Sequence, residues 1–89
     1  MVYRYRIEGT VQGVAFRYHA EKEARQLGIT GTVRNLPDGS VEIFAGSEAG
    51  PLKKFEEFLW SGPGRSAVTN VEKEEIPNSP VWTDFRIIF

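Results

Sequence analysis

The 89-residue sequence contains no cysteine. That excludes disulfides, thiolate zinc sites, Cys-ligated iron–sulfur clusters and thiol catalysis. It has a single histidine, too few imidazoles to build a transition-metal site. Neither sign of charge is in excess, because 11 Lys and Arg face 12 Asp and Glu for a formal net charge of −1. A nucleic-acid binder normally carries surplus cations to displace counterions, and this chain has none to spare. No apolar run approaches the ~20 residues of a membrane span, and Met1-Val2-Tyr3-Arg4-Tyr5-Arg6 has no hydrophobic signal core. A second hydrophobic core would need roughly 50 more residues. These exclusions predict one soluble, cytoplasmic domain over residues 1–89, with no metal, cofactor, nucleic acid or membrane among its partners. A small, charged and nearly neutral surface gives no reason to require a second copy, so a monomer is expected.

What is present is aromatic and strongly patterned. Six Phe, three Tyr and two Trp can fill a small core. From Val2 to Val11 the chain alternates, with Tyr3, Tyr5, Ile7 and Val11 on one side and Arg4, Arg6, Glu8 and Thr10 on the other. That is the period of a half-buried strand. Phe16, Ala20, Ala24 and Leu27 then recur at helical spacing, with Gly28 as a stop. Gly31 to Leu36 and Val41 to Ala45 read as strands joined by the turn Pro37-Asp38-Gly39-Ser40. A second helix is predicted from Pro51 to Trp60, started near Ser47 or Gly50 and ended by Gly62-Pro63-Gly64. Ala67 to Ile76 reads as a fourth strand despite its run of charges, and Phe85, Ile87 and Phe89 alternate in a short last one.

The order β-α-β-β-α-β plus a terminal β predicts an α+β fold. Two right-handed split crossovers place both helices on one face of an antiparallel sheet, the ferredoxin-like α/β sandwich. In that topology the ends of the first and second strands, near Gln12 and Asn35, share one edge of the sheet. With the third strand between them they stand roughly 10 Å apart, and one small anion can be reached from both.

The connection Gly9-Thr10-Val11-Gln12-Gly13-Val14-Ala15-Phe16-Arg17 passes from strand to helix with a glycine in the turn. Unpaired N–H groups at the positive end of a helix can wrap a tetrahedral oxyanion. Arg17 falls in the first helical turn, where a cation is disfavoured by about 0.3–1 kcal/mol unless an anion completes the arrangement. An ordinary strand-to-helix turn with a solvated Arg17 has the same spacing, and both readings stand at this point. A Walker loop does not, since no Gly-Lys-Ser/Thr follows, and the dinucleotide glycine pattern is absent.

Two longer stretches add a resemblance. Gly9-x-Val11-Gln12-Gly13-Val14-x-Phe16-Arg17 is similar to the first signature of the acylphosphatase family. Gly28-x-x-Gly31-x-Val33-Arg34-Asn35-x-x-Asp38-Gly39-x-Val41-Glu42 resembles the second, and weaker similarity at Gly62-Pro63 and Phe85-Arg86-Ile87 extends over the whole chain. The resemblance implies the same sandwich fold and metal-independent hydrolysis of the carboxyl–phosphate bond of acyl phosphates. It implies a substrate-binding loop of Gln12, Gly13, Val14, Ala15, Phe16 and Arg17, in which backbone N–H groups from Gly13 to Arg17 cradle the phosphate. Arg17 would be the phosphate-binding arginine and Asn35 the residue that positions the attacking water. Ala15 fills a variable slot, whereas Thr32 replaces the large aromatic residue of many relatives, so packing or substrate preference near Asn35 is expected to differ. The same fold without turnover, as an anion-sensing or regulatory module, is the competing reading.

The remaining polar residues read as structural. His19 lies two positions beyond Arg17 and faces elsewhere on the helix. Asp38 and Glu42 read as turn and outer-strand residues, and Lys53-Lys54 with Glu56-Glu57 as the wet face of the second helix. Tyr3, Tyr5 and Phe44 could serve as an RNA-stacking platform, but the alternation places Tyr3 and Tyr5 with the core.

Overall fold

The alternation in Val2–Thr10 forms a strand, β1, whose Tyr5 and Ile7 are fully buried. In the computed structural model, which describes residues 1–89, α1 (Phe16–Gln26), β2 (Thr30–Asn35), β3 (Val41–Gly46), α2 (Ala49–Ser61), β4 (Ala67–Glu75) and β5 (Phe85–Ile87) follow. α1 buries Phe16, Ala20 and Ala24, and its two small residues let the helix lie close to the sheet. α2 begins earlier than the sequence predicts, with Glu48 as its N-cap. Pro51 therefore sits in the first turn, where a missing N–H costs no helical hydrogen bond. No helix is long and apolar enough to cross a membrane.

The sheet order is β4-β1-β3-β2-β5. β3 runs antiparallel between β1 and β2, so Ile7 and Asn35 flank Val41 from either side. The helices contact each other and pack on one face. Between the layers Tyr5, Ile7, Val33, Ile43 and Phe85 meet Phe16, Leu52, Phe55 and Leu59, each large side chain contributing about 1.5–3 kcal/mol by burial. The sheet is mixed, which corrects the antiparallel expectation: β5 pairs in parallel with β2, Gly31 opposite Phe85 and Val33 opposite Ile87. The reason lies in the chain path. β4 starts opposite Thr10 and ends opposite Tyr3, at the far end of the sheet. A strand entering from that far end must run back in the direction of β2.

Two charged residues depart from or sharpen the sequence reading. Glu56 is not simply wet: it accepts hydrogen bonds from the Tyr5 hydroxyl at 2.6 Å and Lys73 Nζ at 2.8 Å. A phenol buried in an apolar core needs such an acceptor, and burial followed by the Glu56 interaction pushes its pKa far above the ordinary value. On the helix-free face Glu42 is only 5% exposed and accepts from Arg4 and Arg34, both at 2.7 Å. Burial alone would raise its pKa, but the two arginine hydrogen bonds outweigh it and hold the carboxyl below its ordinary value. Its contribution to stability is therefore complete above the unfolded-state pKa and is lost as pH falls through the folded one. Glu42→Gln is expected to cost about 1–3 kcal/mol at neutral pH in urea unfolding, with the gap to the parent closing below pH ~4.

The aromatic residues do not form one stacking platform. Tyr5 is in the core, whereas Phe44 stands opposite Arg4 and Thr32 on the other face and packs on Trp82 at 5.9 Å.

Candidate active site

Beyond Thr10 the chain turns through residues 11–15 into α1, with buried Val11 and Phe16 bracketing the turn. Gly13 and Ala15 have positive φ, 75° and 60°, and Val14 between them does not. This alternation of hand turns successive N–H groups toward a common point, the geometry of an anion-binding nest. Gly13 takes the left-handed conformation without cost, but Ala15 carries a Cβ there at an expense of about 1 kcal/mol or more. The first acceptor of α1 is the Ala15 carbonyl, bonded by the His19 N–H at 3.1 Å. The N–H groups from Gly13 to Tyr18 consequently find no acceptor within the chain, and no side chain caps the helix.

Arg17 lies in this first turn, which contains no acidic residue. It forms no ion pair within the chain. Its guanidinium sits 5.0 Å from the centroid of the Phe89 ring, a cation–π arrangement.

Asn35 is the last residue of β2 and shares a face with buried Val33. The hairpin after it is closed by the Leu36 N–H on the Ser40 carbonyl at 2.8 Å. Asp38 accepts from the Ser40 N–H at 3.0 Å and pairs with Arg6 across the sheet. Arg6 first, then the Ser40 hydroxyl and N–H, hold the Asp38 carboxyl well below the usual carboxylate range. The Gln12 amide ties the two halves together, Nε2 donating to the carbonyls of Leu36 and Ser40, both at 2.8 Å.

Arg17, Asn35, Gly13, Ala15 and Phe16 line one hollow of about 210 Å³, completed by apolar Val11, Ile87 and Phe89 with Tyr18. Gln12 and Val14 do not line it. Gln12 holds the hairpin, and Val14 faces a separate hollow with His19 and Arg65. Thr32 is also elsewhere, opposite Phe44 and Arg86 and beside Trp82. Sequence reasoning missed Tyr18, Ile87 and Phe89 as walls. Only the alternation of Phe85, Ile87 and Phe89 hinted at the last two, and it does not say which strand they join. A larger groove of about 620 Å³ occupies the opposite end of the sheet, but Glu48 and Glu75 line it and no Arg or Lys does.

A planar cationic fork beside converging N–H donors suits a tetrahedral oxyanion. No Asp or Glu side chain lines the hollow to repel that oxyanion or to hold a divalent cation. The Asn35 amide offers both a donor and an acceptor, the equipment for orienting a water. The acylphosphatase family model matches residues 3–87 of the chain. The chain belongs to the acylphosphatase family. It is 49% identical over 80 residues to the acylphosphatase of Marinobacter nauticus, covering 90% of this chain and 87% of that one. The crystal structure of acylphosphatase from Bacillus subtilis matches with a TM-score of 0.95 at 36% identity, over 100% of both chains. An acylphosphatase structure from Coxiella burnetii matches with a TM-score of 0.91 at 40% identity, over 98% of this chain and 90% of that one. The fold read from the element order and the acylphosphatase activity implied by the two motifs agree with these relatives.

Proposed function

We propose that this chain hydrolyses acyl phosphates as a monomer, by positioning and charge stabilisation. The Gly13–Arg17 N–H groups and the Arg17 guanidinium hold the phosphoryl group, and Asn35 aims the water. The observation that carries this reading is the convergence of an alternating-hand turn, an unpaired guanidinium and a free carboxamide on one hollow. A carboxylate is a good leaving group, so little acid catalysis is required and placement dominates. Water attacks phosphorus in line, the bond from phosphorus to the acyl oxygen breaks, and the carboxylate leaves with its electron pair. The water's proton passes to a phosphoryl oxygen, giving carboxylate and inorganic phosphate. The substrate is assigned that proton because no His, Asp or Glu lines the hollow. A small, charged surface with a formal net charge of −1 gives no reason to require a second copy, which supports the monomer.

Phosphate release from benzoyl phosphate tests the reading. The rate in excess EDTA is expected to match the untreated rate within about twofold. Abolition by EDTA would overturn the metal-independent scheme, and phosphate binding without turnover would identify a non-catalytic module instead.

A further inference from the structure

The Gly13–Ala15 nest and Asn35 belong to different strands, and no backbone ladder joins them. β3 separates β1 from β2, and its ladders with both end at Val41, opposite Ile7 on one side and Asn35 on the other. Beyond that level β1 follows β4 instead, with its register shifted between Glu8 and Gly9, until Thr10 faces Ala67. A hollow of about 130 Å³ opens between the departing strand and the hairpin, lined by Arg6, Glu8 and Gly9 on one side and by Asp38, Gly39 and Ser40 on the other.

Gln12 bridges this gap. Its Nε2 carries two hydrogens and meets two acceptors, the carbonyls of Leu36 and Ser40, both at 2.8 Å. No other hydrogen bond joins residues 11–15 to residues 36–40. Gln12 directly precedes Gly13, where the nest begins, and Leu36 directly follows Asn35. The tie therefore sits one residue from each of the two parts that in-line attack must hold in register. Neither carbonyl depends on it for a partner. The Leu36 carbonyl also accepts from the Gly39 N–H at 3.2 Å, and that of Ser40 from the Leu36 N–H at 2.8 Å. The hairpin closes without Gln12, and what Gln12 adds is the placement of that hairpin relative to the nest.

We propose, on the hydrolase reading above, that Gln12 is a positioning residue: it fixes the separation between the phosphate nest and the Asn35 carboxamide without lining the hollow itself. A misplacement of about 1 Å can cost about 100-fold in rate, while the anion keeps its own contacts. The test is a double-mutant cycle on benzoyl phosphate, reading kcat and the inhibition constant of inorganic phosphate for each protein. Gln12→Met keeps the length of the side chain and removes its donors. It is expected to lower kcat about tenfold while phosphate inhibits within about twofold of the parent. Gln12→Asn keeps the amide on a stem too short to span both carbonyls, and it should lose a similar amount. In the Asn35→Ala background Gln12→Met should cost less than about twofold, because the group it places is gone. An unchanged kcat in either Gln12 variant would overturn the inference and leave the hydrolase reading intact. So would an undiminished loss in the Asn35→Ala background, or a loss matched by weaker phosphate inhibition. A phosphate-induced rise in Tm identifies the variants that keep a folded nest. If neither Gln12 variant showed one, Gln12 would hold the fold rather than the water, and the inference would fall. No turnover by the parent would overturn both readings.

Discussion

Asn35→Ala is expected to lower kcat on benzoyl phosphate by at least ~100-fold while inorganic phosphate inhibits nearly as before. The split follows from what the residue touches. Its carboxamide makes no hydrogen bond that the fold uses, and it is exposed at the strand end, so truncation leaves the hairpin intact. The hairpin keeps its closure through the Leu36 and Ser40 backbone pair and through Gln12. In the proposed scheme phosphate retains the N–H nest and Arg17, whereas the attacking water loses the group assigned to aim it. Asn35→Asp is the informative control. It has the same size but sets a carboxylate beside the bound anion, so it should weaken phosphate inhibition as well as turnover. Full activity in Asn35→Ala, or loss of turnover only in step with phosphate affinity, would remove Asn35 from the role assigned to it.

The sequence exposes what repeats locally and conceals what depends on distant partners. Alternation in β1 and helical spacing in α1 are local, and they mark Tyr5, Ile7, Phe16, Ala20 and Ala24 as the buried side that the structure shows. The neighbour relations of β1, β3 and β2 follow because few connections satisfy the chirality of the crossovers. β5 is different: three residues carry no record of their partner, and their direction is set by where β4 ends. Glu56 was misread for the same reason, since the hydroxyl it satisfies belongs to Tyr5, 51 residues earlier. In the candidate site, one glycine and one arginine leave both an ordinary turn and an anion loop open. The positive φ of Ala15 fits the second of these, and nothing about an alanine announces it. The family resemblance supplied the role suggested for Asn35, which spacing alone does not contain. Arg65 and Phe89 are brought to this end of the sheet by the paths of α2–β4 and β5, so no motif around Arg17 signals them.

Arg17→Lys is expected to lower kcat/KM by about 10³-fold, because the charge survives while the geometry does not. A guanidinium can lie flat on the Phe89 ring and present a two-pronged edge to phosphoryl oxygens. An ammonium is a point charge that cannot meet both demands. The same residue lets function be separated from folding. Arg17 opposes the positive end of the α1 dipole, a cost of about 0.3–1 kcal/mol, and gains a comparable amount of about 0.5–1 kcal/mol from the Phe89 ring. Arg17→Ala removes both, so its stability without ligand should match the parent's. Phosphate then discriminates between them. At 100 times its dissociation constant a ligand stabilises the folded state by about 2.7 kcal/mol, so added phosphate should raise the parent's Tm and move that of Arg17→Ala far less. Equal stabilisation of both proteins would mean that the nest alone holds the anion and that Arg17 acts only on the transition state. In that case Arg17→Lys should lower kcat and leave phosphate inhibition untouched, which a single inhibition series can read.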